Sequence, residues 1–106
     1  MKLMTKAILE AFKKLGYRGD KDAKDVKIIV KYFNPTGAGS WYCYEYDPKD
    51  RILYGFANLG DDVNAECGTI SLDELESFRG MFGLGIERDL HFGEHTLKEV
   101  MNFEVR

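Results

Sequence analysis

The sequence predicts a single α+β domain: an antiparallel meander sheet of about four to five strands, an N-terminal helix and two short later helices. Three observations carry this. Residues 5–15 repeat their apolar side chains at helical spacing. Alternating β-branched and aromatic runs between residues 26 and 58 are separated by turn sequences. Two Ser/Thr-x-x-Glu boxes, at Ser71 and Thr96, then open short helical stretches. Helices set outside one antiparallel sheet define the α+β class. With 106 residues the chain is one domain, 1–106. Its 44% hydrophobic and 13% aromatic content excludes a disordered tail, a collagen-like chain and a disulfide-dependent miniprotein.

The first helix starts behind Thr5 as N-cap, turns Met4, Ile8, Ala11, Phe12 and Leu15 inward, and stops at Gly16. A polar linker spans residues 17–25. Val26–Phe33 reads as a strand with Val26, Ile28, Val30 and Tyr32 on one face and Lys27 and Lys31 on the other. Asn34–Gly39 has turn composition, and Ser40–Tyr46 is the second strand. Asp47-Pro48-Lys49-Asp50 is a turn because proline pre-sets φ and the aspartates bond nearby amides. Arg51–Asn58 completes the meander. A short strand follows around Gly68–Ile70. The Ser71 box opens a helix to Phe78 or Arg79 that buries Leu72, Leu75 and Phe78 and ends at Gly80. Ile86–Phe92 reads as one more strand, and the Thr96 box opens a last helix with Leu97, Val100 and Met101 inward.

The net charge of −3 conceals a split. Residues 1–51 carry 11 Lys+Arg against 7 Asp+Glu; residues 52–106 carry 4 against 11. No apolar segment follows the N-terminal Met1-Lys2-Leu3, and no stretch approaches the roughly 20 apolar residues that cross a bilayer. The expectation is a cytoplasmic protein with no membrane association. Cys43 and Cys67 are far apart and read as free thiols, each a small packing residue. No zinc-type Cys/His spacing occurs, and nothing implies a cofactor.

Eight aromatics crowd between Tyr32 and Phe56. Strand alternation puts Trp41, Cys43 and Glu45 on one face and Tyr42, Tyr44 and Tyr46 on the other. Either helices cover both faces, or one aromatic row is a contact surface. An exposed row beside Lys27 and Lys31 suits a protein partner, because Tyr and Trp give large rigid contacts. It also suits stacking of single-stranded bases. Cross-strand packing inside the domain is the plainest reading. Asp61, Asp62 and Glu66 form an acidic loop, plain solvent-facing charge on the simplest reading and a surface able to meet a basic partner on the functional one. Glu87, Asp89 and His91 alternate, with Glu94 and His95 close behind. Asp89, His91, Glu94 and His95 are therefore weak candidates for a divalent metal or an acid–base pair, against the reading of a solvated strand face. The glycine-rich Arg79–Gly85 run closes a helix and lacks the Lys-Ser/Thr of a phosphate loop, so Met81, Phe82 and Leu84 are expected to pack onto the core.

Three segments together resemble a known family: Trp41–Arg51, Gly68–Glu76 (GTISLDELE) and Gly83–Phe92 (GLGIERDLHF). It is the domain-of-unknown-function family 2958, small bacterial proteins that recur on plasmids, conjugative elements and phage-related islands. The resemblance covers nearly the whole chain. It implies a compact α+β domain and a mobile-element setting, and it brings no catalytic residues. The first expectation for function is a non-catalytic accessory binding protein, of the kind that blocks a host restriction or CRISPR component by protein contact. A single-stranded nucleic-acid binder and a metal-assisted hydrolase are the alternatives.

Overall fold

The computed structural model describes residues 1–16, 19 and 21–105. Of the linker expected over residues 17–25, Tyr17, Arg18 and Asp20 lie outside the described residues; Ala23–Asp25 forms one 3-10 turn. The strands are β1 (Val30–Phe33), β2 (Ser40–Asp47), β3 (Ile52–Asn58), β4 (Glu66–Ser71) and β5 (Glu87–Arg88). They form one antiparallel sheet in the order β4-β3-β2-β1-β5. The helices are α1 (Lys6–Leu15), α2 (Leu72–Ser77) and α3 (Leu97–Met101). The α+β architecture is thus the one expected.

Each helix starts where its cap residue dictates. Thr5 Oγ1 accepts from the Ile8 amide at 3.1 Å, Ser71 Oγ from the Glu74 amide at 3.1 Å, and Thr96 Oγ1 from the Glu99 amide at 3.3 Å. At Thr96 the box is complete, because Glu99 Oε1 also accepts from the Thr96 amide at 3.1 Å.

Helices cover both faces of the sheet, so there are two cores. On the first face α1 and α2 bury Phe12, Leu72 and Leu75 against Val30, Tyr32, Cys43, Leu53 and Ile70. On the second, α3 buries Leu97 and Val100 against Val26, Ile28, Tyr42 and Phe56. Each fully buried large apolar side chain contributes about 1.5–3 kcal/mol.

Two departures from simple alternation sort residues between these cores. The pairing steps from Cys43↔Gly55 to Glu45↔Tyr54, which leaves Tyr44 as the extra residue of a β-bulge. Tyr46 therefore changes face. It leaves the row of Tyr42 and joins Trp41 and Cys43, with its ring 5.8 Å from that of Phe12. Glu45 correspondingly leaves the Trp41 face. Gly55 makes the bulge possible, since a Cβ there would lie 2.5 Å from the Tyr42 carbonyl oxygen. The second departure is at the expected Val26–Phe33 strand, of which only Val30–Phe33 joins the sheet. Val26–Ile28 pairs instead with the chain entering α3: the Leu97 amide donates to Val26 O at 2.8 Å and the Ile28 amide to His95 O at 2.9 Å. Val26 and Ile28 consequently serve the second core, Val30 and Tyr32 the first.

Three further expectations are corrected. Helix α2 stops at Ser77; Phe78 is extended and stays 39% exposed. The strand expected over Ile86–Phe92 is only Glu87–Arg88, because Asp89 Oδ1 accepts from the His91 amide and turns the chain. Met81, Phe82 and Leu84 lie outside the core, with Phe82 89% exposed. The Gly80 amide donates to Leu84 O at 2.7 Å, so the loop closes on its own backbone and turns its side chains outward. Phe82 holds a left-handed φ of 60°, which is uncommon for a bulky residue.

Candidate functional site

The first face is not fully covered. Helix α1 sits over the end of β2 that carries Tyr46, and α2 lies over the start of β3, where the Leu72 amide donates to Arg51 O at 3.1 Å. Trp41 packs against the margin of this core and stays partly exposed. A groove of about 550 Å³ remains, floored by Trp41, Ala57, Ile70 and Ile86, and walled by Leu59, Leu75 and Phe78. Its size falls within the range of pockets that hold a ligand or an anchoring side chain. Gly39, at φ 131°, packs close against the indole: a Cβ there would lie 2.9 Å from the Trp41 ring. Phe78 becomes a wall because α2 ends before it. Asn34, Thr69 and Ser71 give the groove a polar rim.

Among the described residues, Glu74 is the one charged residue lining this groove. Asp73 and Glu76, on the same helix, are held by Arg51, whose Nε lies 2.6 Å from Asp73 Oδ1 and whose Nη2 bonds Glu76. The carboxylate of Asp73, then that of Glu76, raises the Arg51 pKa further. Arg79 Nη1 donates to the carbonyls of Glu76 and Phe78, at 2.9 and 2.6 Å. Across the sheet, the register aligns Tyr32, Trp41, Ala57 and Glu66 in one row on the groove's face. Among the described residues, neither Glu66 nor Glu74 has an ion pair.

The contact candidates read from the sequence are dispersed. Trp41 is in the groove. Tyr42 is buried under α3, 5.7 Å from the Phe92 ring and 6.4 Å from Phe56. Tyr44 is half-buried in the second core, and burial, with Cys67 close by, pushes its pKa up to about 12. Tyr46 packs on Phe12, and burial raises its pKa. Lys31 is buried, with only 8% exposed, so it offers no charge to a polyanion. Lys27 is exposed, 3.9 Å from Glu94. Asp61 and Asp62 are used within their loop: Asp61 Oδ1 accepts from the Val63 amide at 3.0 Å, and Asp62 Oδ1 from Asn58 Nδ2 at 2.7 Å. Glu66 is the member of the acidic loop that reaches the groove's face.

The weak metal candidates diverge. Asp89 faces Lys31, His91 is exposed, Glu94 meets Lys27, and His95 Nδ1 lies 3.1 Å from Glu99 Oε2. Among the described residues no group of three His, Cys, Asp or Glu is placed to hold a metal ion. Cys43 is fully buried, which raises its thiol pKa well above the usual value. Its thiol stays protonated and unavailable as a nucleophile. Among the described residues no helix is long and apolar enough to cross a membrane.

Leu59, Phe78 and Glu74 are among the groove residues that sequence reasoning did not single out as contacts. The available signals were an apolar Leu59 inside a polar loop and an aromatic Phe78 set directly before Arg79-Gly80.

No curated protein and no solved structure matches this chain. One family model does, over residues 3–103, which is nearly its whole length. The chain belongs to the family described as "Protein of unknown function (DUF2958)".

Proposed function

We propose that this chain is a non-catalytic, cytoplasmic accessory binding protein of mobile genetic elements, acting by protein–protein contact on a component of host defence. The open groove at Trp41 carries the reading. It is an aromatic-floored concavity with a polar rim, on a face that α1 and α2 cover only in part, and binding energy concentrates in such aromatic anchor sites. The exposed Met81–Leu84 loop extends the apolar surface next to Phe78 in the chain. The mobile-element setting, and with it the class of target, comes from the family resemblance.

The test is capture from a bacterial host lysate by the immobilised full chain, followed by a cleavage assay on the captured complex. The expected result is one saturable partner belonging to a restriction or CRISPR system, whose cleavage slows when the chain is added. Recovery of no specific partner, even at low salt, ends the proposal.

A further inference from the structure

We propose that the Trp41 groove takes a segment of the partner protein in which a large apolar side chain stands next to a lysine or arginine. The inference rests on the protein-contact reading above and names the chemistry of its occupant. The groove's floor and walls are apolar, so its central contact is an apolar anchor. The charges around that anchor are of one sign. Glu74 lines the groove, and Glu66 ends the cross-strand row that holds Trp41. The two arginines that flank α2 are engaged elsewhere, Arg51 with Asp73 and Glu76, and Arg79 with the carbonyls that end α2. The pairing is selective: of the three carboxylates on α2, the two facing Arg51 are matched, and the one facing the groove is not. A cationic neighbour to the anchor completes those charges and meets the part of the indole that lines the groove, where a guanidinium is favoured over other polar groups. An acidic neighbour is repelled by the same carboxylates.

The experiment pans a random dodecapeptide library displayed on phage against the immobilised full chain, then measures the enriched peptides, made synthetically, through the emission of Trp41. Enriched sequences should carry Leu, Phe or Trp adjacent to Lys or Arg. The double variant Glu66→Gln/Glu74→Gln should bind about tenfold more weakly, the loss expected from removing charge-assisted contacts. Glu10→Gln on α1, with the same type of charge loss, should bind as the parent does. Circular dichroism on each variant separates a binding loss from a folding loss. Enrichment of peptides without basic residues, unchanged affinity in the double variant, or no enrichment at all overturns the inference. So does sedimentation showing that a second copy of the chain fills the groove. Lysate capture repeated with the double variant separates the two proposals. A partner held equally by both proteins leaves the protein-contact reading standing and removes the groove from it, whereas a parent that captures nothing removes the protein-contact reading itself.

Discussion

Lys31 Nζ lies 3.4 Å from Asp89 Oδ2, enclosed by the rings of Tyr42, Phe33 and Phe92 at 5.4 to 5.9 Å. The pair joins the basic half of the chain to the acidic half and fixes the turn after β5, where the Asp89 amide also donates to Lys31 O at 3.0 Å. Removing one partner of a nearly buried pair strands the other charge. Asp89→Asn should cost about 2 kcal/mol, discounted from the fully buried case because Asp89 keeps some exposure. Lys31→Met combined with Asp89→Asn should recover much of that loss. Urea unfolding of both variants checks this, and an Asp89→Asn protein as stable as the parent refutes it.

Gly55 and Gly68 lie opposite one another on β3 and β4, yet they should respond oppositely to alanine. At Gly55 the new Cβ meets backbone, 2.5 Å from Tyr42 O and 2.9 Å from Cys43 Cα. The strand has to shift, at about 2 kcal/mol or more. At Gly68 a Cβ meets nothing within 4 Å. Gly68→Ala should leave stability unchanged within about 0.5 kcal/mol. Thermal melts of the two variants give the comparison directly.

Tyr32 is fully buried, and its hydroxyl donates to Leu3 O at 2.7 Å. Burial raises its pKa strongly, so it stays a donor at any ordinary pH. Tyr32→Phe should cost about 1–3 kcal/mol by leaving the Leu3 carbonyl unsatisfied. Hydrogen exchange should quicken first in the N-terminal segment, which Arg88 also holds by donating from Nε to Lys2 O at 2.7 Å.

The cap of α3 should make stability depend on pH. His95 first, and then the Thr96 amide, hold the Glu99 carboxyl below its usual pKa. A lowered folded-state value stabilises the fold above the ordinary glutamate pKa, and the contribution disappears as the pH falls through the folded value. The stability gap between the parent and Glu99→Gln should therefore be widest near neutrality and close in acid. Thr96→Ala removes the cap itself and should cost about 1 kcal/mol. Melting curves from neutral to acid pH test both.

Features fixed by nearby residues were legible in the sequence. Thr5, Ser71 and Thr96 marked the three helix starts, and Asp47–Asp50 marked the hairpin between β2 and β3, because caps and turns are set within four residues. The bulge was not legible. Nothing in Trp41–Tyr46 announces it, and the glycine that permits it lies on the opposite strand. Val26–Ile28 kept perfect strand alternation while pairing with residues near α3, a contact that parity cannot reveal. At the site, Trp41 and Glu66 drew notice by type, whereas Phe78 was read as core because the end of α2 at Ser77 was not foreseen. Glu74 was read only as half of a cap, and its lack of a cation emerged once Arg51 was seen bonded to its neighbours.

The two-sided core has a practical consequence for anyone observing this molecule. Its single tryptophan, Trp41, lies on the α1/α2 side of the sheet. Emission is thus a one-sided signal, sensitive to the groove and blind to fraying of α3. The Tyr42–Phe92 and Phe56–Phe103 ring contacts belong to the other side. A tryptophan introduced by Phe103→Trp, in a Trp41→Phe background, supplies the complementary view. Coincident transitions from the two reporters identify one cooperative unit, and separated transitions show the halves melting in turn.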